Sequence, residues 1–270
     1  MSLQTNPSPA PGSNPSAGDI ILRTEGLTKS FKGFVAVNGV SLDVRRGTIH
    51  ALIGPNGAGK TTVFNLLTKF LPPTAGHIVF KGRDITALKP ADVARLGIVR
   101  SFQISAVFAN LTVLQNVRIA LQRFRPDGFF FWRSERVLDE MNERVAALLA
   151  DVGLAGQLDR RANELPYGNR RALEVATTLA LEPELVLLDE PTSGLGQEDI
   201  GRISDLIAKG AANRTTIMVE HNLSVVADLS DRITVLARGE VLADGTYDEV
   251  ARNPAVVEAY MGQAGGASHG

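Results

Sequence analysis

The chain contains no cysteine. That excludes a disulfide scaffold and Cys-based zinc sites, and it agrees with a reducing compartment. Excess charge of either sign is also missing, with 28 Lys and Arg against 29 Asp and Glu. A general nucleic-acid binder carries a basic surplus, so no nucleic-acid partner is expected. No apolar run approaches the ~18–20 residues needed to cross a bilayer. A protein of this kind working at a membrane needs another chain for the embedded part. Residues 1–18 are rich in Pro, Ser, Asn, Gly and Ala, without a basic start or an apolar centre. They read as a disordered tail rather than a secretory signal. Residues 263–270 read as equally loose, and no internal repeat is present.

What the chain does have is the octet Gly54-Pro55-Asn56-Gly57-Ala58-Gly59-Lys60-Thr61. It fits the phosphate-loop pattern of spaced glycines followed by Lys and Thr. Thr48–Ile53 reads as a strand entering it, and Thr62–Leu67 as a helix leaving it. Glycines let the backbone aim successive N–H groups at phosphate oxygens, and the helix presents its positive end to the same anion. Lys60 is then placed for the β and γ phosphates, and Thr61 for Mg²⁺.

A second group lies downstream. Leu185–Leu188 is a short apolar strand of the type buried in a parallel sheet, ending in Asp189 and Glu190. Asp189 is placed to hold Mg²⁺, directly or through water. Glu190 is placed to orient or deprotonate the attacking water. His221 follows the next strand, Thr215–Val219, where it is able to contact a γ-phosphate or the water. Gln103 follows the strand Ile98–Phe102, and its amide is suited to the Mg²⁺ shell or the water. His50, His77 and His269 have no comparable position.

The remaining pattern is α/β. Strands at Ile20–Thr24, Val35–Val44 and Gly76–Phe80 surround the loop unit. Residues from about Thr112 to Glu182 have mainly helical periodicity, with Val137, Leu138, Met141, Val145, Leu148, Leu149 and Val152 on one face and Gly153 as a stop. Helices are expected at Ile200–Ala208 and Leu223–Leu229, and a hairpin around Arg238-Gly239. The aromatic run Gly128–Arg133 reads either as core of the helical insert or as an interface patch.

Taken together, these residues resemble the nucleotide-binding subunit of an ATP-binding-cassette (ABC) transporter, from about Asp19 to Gly262. The order is specific: an aromatic in Leu27–Phe31, the phosphate loop, Gln103, a helical insert, Leu165-Pro166-Tyr167-Gly168-Asn169, the strand to Asp189-Glu190, then His221. The resemblance implies a P-loop cassette over 19–262, with a mixed or parallel sheet core, an antiparallel β subdomain and a helical subdomain at about 104–182. It implies ATP and Mg²⁺ as cofactors. Phe31 would stack on adenine, worth ~1–3 kcal/mol by analogy with base stacking, and Val37 would pack beside it. Residues Gly54 to Thr62 would hold the phosphates. Gln103 would sense Mg²⁺ and couple to the membrane subunit. Glu190 would be the catalytic base and His221 the γ-phosphate switch. Tyr167, Gly168 and Asn169 would face the partner's γ-phosphate.

That last segment departs from the usual Leu-Ser-Gly-Gly-Gln. A helix beginning near Asn169 would still offer its positive end, but Pro166 supplies neither hydroxyl nor N–H. Gly196 replaces the usual Asp or Asn after Ser193-Gly194-Leu195. These departures point toward unequal sites in a heterodimer. The Tyr-Gly pair is similar to ATP-binding subunits of branched-chain amino-acid importers. Gly54–Asn65, Arg100–Gln103, Glu220–Asn222 and the Asn253-Pro254 to Gly262 stretch resemble them too. The implied protein is a peripheral ATPase on the cytoplasmic face of the cell membrane. Its implied partners are permease subunits, a second ATP-binding subunit in a homo- or heterodimer, and a solute-binding protein. Rival readings are an exporter or lipid-transport cassette, a soluble non-transport ABC ATPase, and a kinase. A kinase would leave Leu165–Asn169 and His221 without a role.

Overall fold

The computed structural model describes residues 19–101, 107–122, 135–212 and 214–264. Expectations for the two tails, for Gln103, for the 128–133 run and for His269 therefore fall outside the described residues, except that 263 and 264 continue a helix.

Two sheets organise the chain. The first is antiparallel, built from β1 (Ile20–Phe31), β2 (Phe34–Arg45), β4 (Ala75–Phe80) and β5 (Arg83–Asp84) in the order β2-β1-β4-β5. The second is mixed. It contains β3 (Ile49–Ile53), β6 (Ile98–Ser101), β7 (Leu185–Asp189), β8 (Thr215–Val219), β9 (Arg232–Ala237) and β10 (Glu240–Gly245), in the order β10-β9-β3-β8-β7-β6. All its pairings are parallel except β9 with β10.

The central strands β3, β7 and β8 are buried at every position. Their side chains alternate between two cores, as the period-2 geometry of a strand requires. Ala51, Ile53, Val186, Leu188 and Met218 face a core shared with the helical region. Leu52, Leu185, Leu187, Ile217 and Val219 face the core beneath the antiparallel sheet. This two-sided burial is why these strands read as unbroken apolar runs.

Helices fill the layers. The helix α1 (Lys60–Leu67) follows β3 and buries Val63, Phe64, Leu66 and Leu67. A short α2 (Pro90–Arg95) begins on a proline, whose fixed φ suits a first helical turn. Between β6 and β7 come α3 (Val113–Gln122), α4 (Glu135–Asp151) and α5 (Tyr167–Ala180). Met141, Val145, Leu149 and Val152 of the anticipated apolar face are buried, and Gly153 follows the end of α4 with φ of 71°. Beyond β7 lie α6 (Gln197–Ala211), α7 (Leu223–Leu229), α8 (Tyr247–Ala251) and α9 (Pro254–Ala264).

Three differences from the sequence reading have physical reasons. β1 runs through Phe31 rather than stopping at Thr24, because register shifts near Gly26 let it bend without leaving the ladder. α5 starts at Tyr167, not near Asn169, because Pro166 serves as its N-cap residue. β5 and α2 were not anticipated, being too short to display a period.

Candidate nucleotide site

The phosphate loop leaves β3 at the carboxyl edge of the mixed sheet, and its shape is set by close backbone approach. A Cβ on Gly54 would lie 2.1 Å from the Leu236 carbonyl oxygen, and one on Gly59 would lie 2.7 Å from that of Ala36. Both glycines have positive φ, 146° and 100°. No other residue fits either position. The turn of the β9–β10 hairpin closes the cradle. The Gly239 amide donates to the Ala58 carbonyl at 3.1 Å, and Asn38 donates to the Gly239 carbonyl at 2.8 Å. Arg238 and Gly239 both have positive φ, as a two-residue hairpin turn of this hand requires. Val37 is fully buried, with a methyl 3.5 Å from where a Gly59 Cβ would stand. From the other side, Tyr260 of α9 lies near the Gly54 backbone, and burial raises the Tyr260 pKa against that backbone's influence.

The first intrahelical bond of α1 runs from Val63 to the Gly59 carbonyl at 2.9 Å. The amides of the preceding turn have no acceptor within the helix and are available to an anion. The Lys60 ammonium donates to the carbonyls of Gly54 and Pro55 at 2.6 and 2.9 Å. Its pKa is lowered by burial, against the attraction of Glu190 and Asp189. Those attractions bring Lys60, Asp189 and Glu190 into one electrostatic neighbourhood. Thr61 is exposed on the same turn and Thr62 is half-buried.

Asp189 ends β7 with its side chain only 2% exposed. The guanidinium of Arg100, on β6, pairs with it. The same guanidinium donates to Asn65 Oδ1 at 2.6 Å and lies 5.6 Å from the Phe64 ring centroid. Glu190 follows in a left-handed conformation, φ 47°, rare for a side chain of its size. Its carbonyl accepts from Arg171 at 2.6 Å and from the Ser193 amide at 3.1 Å, which holds that turn. Glu190 Oε1 lies 2.6 Å from Nε2 of His221.

Several residues at this site were not singled out from the sequence. Glu220 is 3% exposed and accepts from the Thr192 amide and hydroxyl at 2.8 and 2.7 Å, and from the His221 amide at 3.0 Å. It fastens the loop after β7 to the turn carrying His221. Arg171 is buried on α5. It reaches the carbonyls of Pro191 and Glu190 and pairs with Glu174, whose pKa burial raises against that pairing. A buried acid beside His221 was the available clue for Glu220. For Arg171 there was none, since helix periodicity alone does not say which Arg turns inward.

Phe31, at the end of β1, is 41% exposed, with the Lys29 ammonium 5.2 Å from its ring centroid. It sits directly across the hairpin from Phe34, also exposed. Tyr167 is exposed and donates to the Ser193 carbonyl at 3.2 Å. The Asn169 amide is held inside the chain by Gln157 and Arg202, at 3.3 and 2.8 Å. Gly168 is packed so closely on the Asp199 carboxylate that a Cβ would lie 2.3 Å from it. Among the described residues, no hydrogen bond joins Tyr167, Gly168 or Asn169 to the phosphate loop.

Comparison with known proteins agrees with this layout. The ABC transporter family profile matches residues 37–193, and that of the branched-chain amino acid ATP-binding cassette transporter matches 240–265. The chain is 40% identical to the high-affinity branched-chain amino acid transport ATP-binding protein LivG of Salmonella typhimurium over 251 residues, covering 90% of this chain and 98% of the relative. It is 41% identical to BraF of Pseudomonas aeruginosa, a protein of the same description, over 254 residues and with the same coverage. A nucleotide-free ATP-binding cassette from an ABC transporter superimposes with a TM-score of 0.77 at 31% identity, covering 89% of this chain and 98% of that one. An ATP-binding cassette of an ABC transporter in its ADP conformation gives 0.77 at 32% identity, with 90% and 99% covered.

Proposed function

The chain belongs to the ABC transporter family and is an ATPase of the P-loop cassette fold; from that premise we propose that it powers an importer of branched-chain amino acids or related small polar solutes. The observation that carries this reading is the match of residues 240–265, which run from β10 into α9, to the branched-chain amino acid ATP-binding cassette transporter profile.

The site residues divide the work as follows. The loop amides from Gly54 to Thr62 and the Lys60 ammonium bind the triphosphate. Lys60 exchanges its two loop carbonyls for phosphate oxygens, a stronger charge-assisted partnership. Phe31 stacks on the base, and Val37 supports the loop from below. Thr61 and Asp189 offer the hard oxygen donors that suit Mg²⁺, an ion that keeps most of its water shell and needs few protein ligands. When bound, that ion would supply positive charge to the phosphates. Glu190 takes a proton from the attacking water, and His221 holds Glu190 in line and contacts the γ-phosphate. Gln103 belongs to the same shell by its place in the sequence.

Tyr167, Gly168 and Asn169 have no bond to their own phosphate loop, which favours a second cassette as their target. The N-terminal end of α5 then completes the partner's site, and ATP bridges two cassettes whose separation follows hydrolysis. The chain acts on the cytoplasmic face of the membrane; among the described residues, no helix is long and apolar enough to cross a bilayer. A cavity of about 490 Å³ between β6, α2, α3 and α5, lined by Phe70, Val93, Ile98, Phe108 and Ile119, offers an apolar seat for a permease segment. A solute-binding protein completes the assembly.

The test is reconstitution of the chain with its permease subunits in liposomes. ATP-dependent leucine or valine accumulation is expected, stimulated by a solute-binding protein. ATP hydrolysis with no movement of either amino acid would sink the importer reading while leaving the ATPase intact.

A further inference from the structure

Asp189 is a buried carboxylate, and a buried charge without a partner is costly. Lys60 does not hydrogen-bond it; its ammonium is taken by Gly54 and Pro55. Lys60 attracts the carboxylate from nearby, but the cation paired with it directly is Arg100, which the roles above leave unused. Its guanidinium makes three contacts on two elements. One amino group pairs with Asp189 on β7, another donates to Asn65 on α1, and the plane covers Phe64. Arg100 also borders the apolar cavity between β6, α2, α3 and α5. A single side chain therefore touches the carboxylate assigned to Mg²⁺, the helix that follows the phosphate loop, and the seat assigned to the permease.

We propose that Arg100 is an internal counter-ion of Asp189 which gives way when Mg²⁺ binds with nucleotide, and that its displacement signals the filled site to the groove. The inference rests on the reading of Asp189 as a Mg²⁺ residue. A divalent cation brought against the same carboxylate repels the guanidinium and weakens its hold on the oxygen. The cation and Arg100 thus compete for one anion. Arg100 lies on the edge strand of the mixed sheet, next to Ser101, and the chain continues from there to Gln103. A shift of its side chain alters the wall of the groove and the end of β6.

Competition makes a signed prediction. At saturating non-hydrolysable ATP analogue, calorimetric titration of the full chain with Mg²⁺ compares wild type with Arg100→Met. The variant is expected to bind Mg²⁺ about tenfold more tightly, the size of one lost charge-assisted hydrogen bond to be displaced, while its nucleotide-free form melts at a lower temperature. Unchanged or weaker Mg²⁺ binding would show that Arg100 supports the site rather than vacating it, and would overturn the inference. If Arg100→Met does not fold, Asn65→Ala removes one anchor and keeps the charge. A few-fold tightening is expected there, and none would count against the proposal equally. Wild type showing no Mg²⁺ dependence, or Asp189→Asn matching wild type, would defeat the assignment of Asp189 and this inference with it. The signalling half has its own readout. Mg²⁺ should change hydrogen exchange along β6 and α2 in wild type but not in Arg100→Met, and identical changes in both would refute it.

Discussion

The carboxylate of Glu190 and the imidazole of His221 are 2.6 Å apart, on turns that follow adjacent parallel strands. The strained backbone at Glu190 aims its side chain across the strand ends. Glu220 fixes the turn that delivers the histidine. The pair is therefore held by its neighbours before any substrate arrives. Glu190→Gln keeps the shape and the hydrogen bond but cannot accept a proton. We expect ATP binding to persist and phosphate release to fall by roughly 10²–10⁴-fold, the usual worth of a general base. Light scattering should detect an ATP-dependent dimer that does not dissociate. Turnover near the wild-type rate would remove Glu190 from the role of base.

Phe31 has two faces of unequal character. One is approached by Lys29, and the ring as a whole is 41% exposed. Stacking of a base on such a ring contributes about 1–3 kcal/mol. Phe31→Ala should weaken ATP binding by that amount in a fluorescent-nucleotide titration, and Phe31→Trp should restore it. Since every base has a π-face, GTP should suffer equally. If Phe34→Ala alone produces the loss, the neighbouring aromatic is the platform instead.

His50 gives a pH signature to stability. It is buried in β3, with Nε2 2.7 Å from the Thr234 hydroxyl, which itself donates to Asp244 at 3.2 Å. Burial lowers its pKa from 6.5 to about 4; Asp244 opposes this and Arg232 adds to it. A base with a depressed folded-state pKa is protonated first in the unfolded chain. Its contribution is thus fully present above pH 6.5 and lost as pH falls toward 4, on the order of 3 kcal/mol in all. Urea denaturation at pH 7.5 and pH 4.5 should show the decline, and His50→Leu should flatten it. An equal decline in both proteins would assign the effect to other groups.

Arg171 binds the turn after β7 to α5 and neutralises Glu174 within the core. Arg171→Met leaves that acid buried without its ion-pair partner. The expected cost is about 3–5 kcal/mol in urea denaturation, together with slower hydrolysis because the Glu190 turn loses its anchor. Arg171→Lys should recover part of the stability and little of the rate, since a single ammonium cannot span Pro191, Glu190 and Glu174 together. Full recovery of the rate by lysine would argue against a positioning role.

Much of this molecule is legible in its sequence, for identifiable reasons. The phosphate loop announces itself because Gly54 and Gly59 occupy places where any side chain would strike a carbonyl. The strand carrying Asp189 is legible because two-sided burial forbids polar residues along it. Lost to sequence reading were the partnerships of charged side chains. Nothing in spacing reveals that Arg100 turns toward Asp189, that Glu220 serves its neighbours' amides, or that Arg171 points inward while Arg170 lies on the same helix. Such choices are made by tertiary packing. The start of α5 was misplaced because a proline in that segment ended the pattern only in appearance; it caps the helix it seemed to delay.

Tyr260 of α9 sets a C-terminal helix beside Gly54, the opening residue of the phosphate loop. During synthesis, the glycine-rich octet emerges long before the helix that flanks it. A nascent cassette therefore lacks this neighbour of its nucleotide cradle until translation has passed that tyrosine.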